Sequence, residues 1–390
     1  QEYCNSADAF GVRLVNHVDD AVLPVGVHDF ADAIGRCMLI DKTMFIADVL
    51  DCDASVIVCC RPEGFGKSMN LSMLKAFLER PAVGQVDRGL FAGSQIWEAD
   101  GGRYRDEYAC YPVISLDFSG AARRGAAVAD VVRDALSGEC TRLLALLEAP
   151  DLARDKVRHI ERVARGVASE DEVDSVLSVL IELLEMACDE QVVLLVDEYD
   201  AAWLGRASAR GASGADPAKL FDRVLFDAIA AAGDSLRLAC LMGERPGPAE
   251  AALSSRNCSY CLTTPLSTWC DRWFGFSDAE VEALLNHAGR EEYLDDARER
   301  LEGYRFGRAY CSSPARVIGF LDRGRTAPVR ADLYGYADCL SRVVAGWNLD
   351  RLSVLFDLLE AHGCVEVPLC LGAAGPEASS DDGLWTELYL

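Results

Sequence analysis

Ser55-Val56-Ile57-Val58-Cys59-Cys60-Arg61-Pro62-Glu63-Gly64-Phe65-Gly66-Lys67-Ser68 is the stretch whose reading decides the fold. Its first six residues are nearly all apolar and rich in β-branched side chains, the pattern of a short strand buried on both faces of a parallel sheet. A glycine turn comes next. Residues 69–80 then place Leu71, Leu74 and Leu78 on one helical face before Pro81 stops the helix. Strand, glycine turn, helix is the order in which backbone N–H groups can turn inward around a phosphate. In such a turn a lysine reaches the β- and γ-phosphates and a hydroxyl reaches Mg²⁺. Gly64, Gly66, Lys67 and Ser68 supply those parts. The full spacing G-x-x-x-x-G-K-[ST] would put glycine where this chain has Arg61, so the turn draws its support from the strands and acids further along the chain.

Working outward, residues 112–118 read as a second buried strand, and a mostly helical region runs to about residue 187. Within it Ser169 and Glu172 form a capping box ahead of the stripe Val173, Val176, Leu177, Leu180, Ile181 and Leu184. A third strand, 192–196, ends in Asp197-Glu198-Tyr199-Asp200. Two acids closing an apolar strand occupy an energetically poor place unless they do chemistry. Asp197 suits the Mg²⁺ shell, and Glu198 suits orienting and deprotonating an attacking water. The alternation continues with a Gly/Ala/Ser-rich loop at 206–217, expected to be mobile, then a helix at 219–231 and strands at 236–242 and 260–266. The pattern predicts a doubly wound α/β fold. A second capping box, Ser277 with Glu280, opens a helical segment to about Leu301, and mixed elements run on from about residue 327.

The totals narrow the function classes. With Lys+Arg 38 against Asp+Glu 63, the net charge of −25 provides no bulk field for nucleic acid. No apolar run is long enough to span a membrane. The 16 cysteines are scattered without regular spacing and read as buried thiols. Cys258 and Cys261 form a CxxC pair near Cys270, but no matching His or second pair completes a zinc set, so small hydrophobes in or beside a strand are the favoured reading. His17, His28, His159, His287 and His362 lack partners at metal or triad spacing. Gln1-Glu2-Tyr3-Cys4 carries neither Met nor a signal pattern, so the expectation is a trimmed chain with a cytoplasmic location.

These residues resemble the AAA-ATPase-like family, P-loop ATPases that often carry a PD-(D/E)xK nuclease domain at the C-terminus. The similarity runs from about Leu23 onward. Leu23-Pro24-Val25-Gly26, Phe30 and Ile40-Asp41-Lys42-Thr43 look like its N-terminal signature, and Phe65-Gly66-Lys67-Ser68-Met69-Asn70-Leu71-Ser72-Met73-Leu74 is close to its phosphate-loop (Walker A) helix. Val196-Asp197-Glu198-Tyr199-Asp200 matches its Walker B segment, Leu241-Met242-Gly243 the strand after it, and Gly303-Tyr304-Arg305-Phe306-Gly307 a marker of its lid. The resemblance accounts for Arg61, since the family has Arg-Pro at the start of the loop.

What the resemblance implies is a P-loop NTPase of AAA/ASCE-like type, a parallel-sheet core with a helical lid and a small mixed C-terminal segment. The expected divisions are an entry segment at 1–22, the ATPase core at 23–270, the lid at 271–326 and the C-terminal segment at 327–390, ending before a nuclease domain. ATP would lie along Arg61, Pro62, Glu63, Gly64, Phe65, Gly66, Lys67, Ser68 and Met69, with Mg²⁺ on Ser68 and Asp197 and with Glu198, Lys67 and Arg245 catalytic. The expected function is a Mg²⁺-dependent ATPase that couples hydrolysis to lid movement. The alternative is a nucleotide-gated interaction module with little turnover. Either form leaves room for a protein partner or oligomer, and direct nucleic-acid binding is not supported by charge.

The chain departs from the family in three places. Glu63 and Gly64 replace basic residues after Arg-Pro, which removes positive charge beside the phosphates. Glu244-Arg245-Pro246-Gly247-Pro248 replaces a more apolar run containing an arginine; Arg245 is read either as a sensor of the γ-phosphate or as a rim arginine paired with Glu244. A PD-(D/E)xK site needs a lysine and none comes after Lys219, so no nuclease activity is expected of this chain. Two readings also stand for Asp41, Lys42 and Thr43, namely contact with base or ribose, or a capping network. Asp117 either lines the same cleft or solvates a strand end, and Tyr304, Arg305 and Phe306 are read as lid packing.

Overall fold

Five short apolar runs become the strands of one parallel sheet in a computed structural model that describes residues 11–16, 21–81, 89–122, 128–201, 217–301 and 303–323. They are β1 (Val56–Cys60), β2 (Val113–Asp117), β3 (Val192–Asp197), β4 (Leu236–Gly243) and β5 (Tyr260–Thr263). Every residue of β1 and β3 is buried, which is why both read as unbroken apolar runs. The spatial order is β2-β3-β4-β1-β5 with every pairing parallel. Register aligns the strand ends, Cys60 beside Gly243 and Asp117 beside Asp197. The segments leaving β1, β3 and β4 therefore emerge side by side at one edge, where open α/β sheets place their ligand crevices.

Side-chain alternation gives the sheet two separate cores. On one face Val56, Val58, Ile114, Leu194 and Leu241 pack beneath the helices Val128–Leu143, Arg154–Ala164 and Glu170–Cys188. On the other, Ile57, Cys59, Val193, Leu195 and Cys240 lie against helix α1 (Lys67–Leu78), which buries Leu71, Leu74 and Leu78 together with Met73 and Phe77. Both capping boxes are present, at Ser169 with Glu172 and at Ser277 with Glu280.

Local chemistry moves several boundaries away from the pattern. Helix α1 starts at Lys67 because Gly66, at φ 84°, is its left-handed N-cap. The helix expected at 219–231 is Pro217–Phe221 and Asp227–Ala232 joined by a wider π turn over Asp222–Phe226. The strand expected to reach Leu266 stops at Thr263. Beyond it the Ser267 hydroxyl takes the Thr264 N–H at 2.9 Å, and Pro265 has no N–H to give a ladder. The helical segment after Ser277 divides into α2 (Asp278–His287) and α3 (Leu294–Arg300) around Gly289, at φ 62°.

An antiparallel hairpin, Tyr304–Phe306 with Ala309–Cys311, and helix α4 (Pro314–Arg323) complete the described chain. A third cluster joins Val281, Leu284, Ala297, Val317 and Phe320 of α2, α3 and α4 to Met38 and Ile40. Residues from before β1 thus share a core with helices that come after β5. Most of the loop expected at 206–217 and all of 327–390 lie outside the described residues. Among the described residues no helix is long and apolar enough to cross a membrane.

Candidate functional site

The turn after β1 is built around two glycines in the left-handed region, Gly64 at φ 79° and Gly66 at φ 84°. Gly64 has a second reason to lack a side chain, since a Cβ there would lie 3.1 Å from both Ala315 Cβ and Ser313 Oγ. Directly after Gly66, the first turn of α1 presents N–H groups without intrahelical partners at the positive end of the helix dipole.

Lys67 is only 5% exposed. Its Nζ donates to the Arg61 carbonyl at 3.0 Å and pairs with Glu198 at 3.3 Å and Glu244 at 3.4 Å. Burial disfavours the ammonium, but Glu244, Glu198, Asp200 and Asp197 outweigh it and hold the Lys67 pKa above its usual range. Beside it Ser68 lies near enough to the Asp197 carboxylate to favour its ionised form. Burial raises the Asp197 pKa, with Ser68 and Lys67 pulling the other way.

Glu198 sits at φ 51°, a left-handed conformation that is uncommon outside glycine. The surroundings hold it there: its N–H donates to Asp197 Oδ1 at 3.1 Å and the next N–H, of Tyr199, donates to the Met242 carbonyl at 3.1 Å. Burial lifts the Glu198 pKa to about 8 against the pull of Lys67, with Asp200, Glu244 and Asp197 adding to the rise. A carboxyl group that titrates near neutrality and faces the Lys67 ammonium has the character of a general acid or base.

Behind these groups lies a second layer. The fully buried Asp200 accepts N–H bonds from Glu244 at 3.0 Å and Arg245 at 2.7 Å through Oδ2, while its Oδ1 has no hydrogen-bond partner among the described residues. Burial first and Glu244 second raise its pKa to about 6. The Tyr199 hydroxyl donates to the Arg245 carbonyl. Gly243 makes room for both side chains, because a Cβ there would lie 2.6 Å from Asp200 Oδ1 and from Tyr199 Cε1. Sequence reading weighed Glu244 only as a partner for Arg245 and gave Asp200 no role of its own. For Glu244 the available signal was an acid directly after a mostly apolar strand, much as for Asp197 and Glu198.

The rest of the turn faces other neighbours. Arg61 is wholly buried, and its guanidinium donates to the Cys60 carbonyl at 2.7 Å, Thr263 Oγ1 at 2.9 Å and the Cys270 carbonyl at 3.4 Å. It also lies 4.9 Å from the Phe274 ring centroid and 5.2 Å from that of Phe306. Only its main-chain carbonyl meets Lys67. Phe65 is buried, with Tyr304 and Phe306 each at 4.8 Å between ring centroids. The Gly64 carbonyl accepts from Ser313 Oγ at 3.1 Å and from the Ala315 N–H at 3.2 Å. Glu63 is exposed at the rim, while Pro62 and Met69 are half-buried.

Asp41 and Thr43 form a capping network. Thr43 donates its N–H and hydroxyl to Asp41 Oδ1, and the pair receive the N–H groups of Gln95 and Ile96. Lys42 pairs with Glu280 at 2.6 Å and ties the segment before β1 to α2. Asp117 is exposed, sits beside Asp197 in register and accepts the Ser119 N–H at 2.8 Å. Arg245 is half-buried and is the N-cap residue of the helix Pro246–Ser255.

A family model described as "Predicted AAA-ATPase" matches residues 24–246, more than half of the chain. The chain belongs to this predicted AAA-ATPase family. No curated protein and no solved structure matches it. The stretch matched as predicted AAA-ATPase takes in the glycine turn, the acids after β3 and Glu244, and it ends before α2, the hairpin and α4.

Proposed function

We propose that the chain binds ATP with Mg²⁺ on the turn 61–68 and hydrolyses it. The observation that carries this reading is the meeting of the Lys67 ammonium with Glu198 at 3.3 Å, where β1 and β3 end, with Ser68 and Asp197 beside them. The α/β sheet order, with β1 between β4 and β5, is compatible with a P-loop core.

The backbone of the turn and the start of α1 would receive the phosphates, with Lys67 neutralising them. Ser68 and Asp197 offer only oxygen donors, one of them a carboxylate, a set that fits Mg²⁺ held jointly with phosphate. Bound there, the ion would supply neutralisation of the charge that develops on the transferred phosphoryl group. Glu198 accepts a proton from the attacking water, and its fixed main chain keeps the carboxylate at that place. The hairpin and α4 form the lid of this reading. Their bonds to Gly64 and their packing on Phe65 make the loop's position felt outside the core. That same contact favours a second reading, in which ATP acts mainly as a gate for a protein partner and is turned over slowly.

Glu198→Gln separates the two. Binding of MgATP within a few-fold of wild type and a loss of phosphate release on the order of 10²–10⁴ is expected of a general base. Equal near-zero rates, with binding demonstrated, leave the gate. If wild type and Lys67→Ala are alike in failing to bind MgATP, neither reading survives.

A further inference from the structure

Resting on the nucleotide reading above, we infer that Glu244 holds the place of a phosphate: its carboxylate occupies Lys67 until nucleotide displaces it, and thereby weakens binding and speeds release. The side chain is 6% exposed and lies 3.4 Å from Nζ. It is put there by construction. Asp200 receives the N–H of Glu244 and of the next residue, Tyr199 holds the following carbonyl, and Gly243 leaves no side chain in the way of either. A backbone pinned at three points directs this carboxylate inward, away from the water where a lone acid gains most.

Charge balance shows why its presence matters. Lys67 needs a counterion once buried, and Glu198 already stands 3.3 Å from it. Glu244 adds a second carboxylate, with Asp197 and Asp200 close enough to act on the same ammonium. Arg61, the other cation of the turn, is directed to Thr263, Cys270 and two aromatic rings. An arriving polyphosphate therefore meets an ammonium already satisfied, and must exchange with a carboxylate. Glu198 is the residue assigned to water, whereas Glu244 leaves the next strand end and has no part in proton transfer. Displacing Glu244 also places a phosphate near a carboxylate that cannot retreat far, which favours departure of the product.

The test is titration of MgATP, MgADP, inorganic tripolyphosphate and adenosine into wild type and Glu244→Gln, with ADP dissociation followed by stopped flow. The amide keeps the shape and removes the charge. Tightening of MgATP, MgADP and tripolyphosphate by about tenfold or more, slower ADP release by a similar factor and unchanged adenosine binding are expected. Glu244→Asp, whose carboxylate is withdrawn by one methylene, is expected to tighten the same ligands by less and carries the test if the glutamine variant does not fold. Unchanged or weaker phosphate binding in the variants, with wild type binding normally, overturns the role of Glu244 alone. Equal tightening of adenosine overturns it too. If no form binds any of the phosphates, the nucleotide reading falls and takes this inference with it.

Discussion

Arg61 and Lys67 stand at either end of the same turn, both as buried cations, and the protein treats them in opposite ways. Arg61 is surrounded by carbonyls, a hydroxyl and two aromatic rings, and burial lowers its pKa. Lys67 is surrounded by carboxylates that raise its pKa in spite of burial. A guanidinium is broad, weakly hydrated and able to satisfy several acceptors at once, so it can live among neutral groups. An ammonium is compact and strongly hydrated, and it needs anions when water is removed. The first end of the turn is therefore an anchor and the second a place of exchange. The anchor joins β1 to Thr263 at the end of β5 and to Phe306 of the hairpin, while the exchange site joins it to the acids after β3 and β4.

Removing the anchor is expected to have the largest effect on folding. Arg61→Ala leaves a cavity beside Phe274 and Phe306 and strips the Cys60 and Cys270 carbonyls and the Thr263 hydroxyl of a donor. The loss of stability is expected to be about 3–5 kcal/mol, read from urea unfolding. Arg61→Lys keeps the charge but loses the fork, and is expected to recover less than half of that. If Arg61→Ala instead unfolds within about 0.5 kcal/mol of wild type, the range of an ordinary surface change, while losing MgATP binding, the guanidinium serves the nucleotide and the contrast with Lys67 collapses.

The exchange end was legible in sequence and the anchor was not, for a physical reason. Lys67, Ser68, Asp197 and Glu198 lie directly beside buried β-branched strands, and polar groups in such places stand out without knowledge of the tertiary fold. The sheet was legible on the same basis, since three of the five strands fall within runs read from composition and spacing, and β3 and β4 pass the ends of theirs by one residue. Arg61 stands at the same kind of strand end, but its partners are 202 and 209 residues away in the chain. Nothing local distinguishes an arginine turned to phosphate from one turned to an aromatic ring. The hairpin was missed as an element because its strands are three residues each, too short for an alternation to show. Both capping-box helices were recognised at their starts; the first ends at Cys188, close to the expected residue 187, while the second was misjudged at its end, where Gly289 divides what the apolar stripe alone would continue.

The acid excess at the exchange end gives the next effect in size. Asp200 is raised from the usual carboxylate value of 3.8 to about 6 by burial and by Glu244. A native pKa above the unfolded one means that the native state holds more protons between those values, so stability falls as pH rises from about 4 to 6. Once both states are ionised the loss is complete. Asp200→Asn lacks this titration, and one buried charge is removed. The stability difference, wild type minus variant, is therefore expected to fall by roughly 2 kcal/mol across that window. Thermal unfolding at pH 4, 5, 6 and 7 measures it. A difference that is flat, or that grows with pH, would show that Asp200 is ionised without strain and that the acids around Lys67 are not in excess.

The smallest expected effect tests whether the two ends communicate. Gly64 lies between Arg61 and Lys67, and its carbonyl is held from above by Ser313 Oγ and the Ala315 N–H. Because the N–H remains when the hydroxyl is removed, Ser313→Ala is expected to cost only about 0.5–1.5 kcal/mol. MgATP affinity should change by less than about threefold, well under one factor of ten per 1.4 kcal/mol. The informative readout is amide hydrogen exchange over 303–323, with and without MgATP. If the anchored end holds the hairpin while the exchange end responds to phosphate, Gly64 is where the response crosses from one to the other. Nucleotide-dependent protection of that segment should then be present in wild type and reduced in Ser313→Ala. Equal protection in both forms would place the coupling on Phe65, whose packing against Tyr304 and Phe306 is untouched by the substitution. No nucleotide-dependent change in either form would leave the turn with an anchor and an exchange site that act independently.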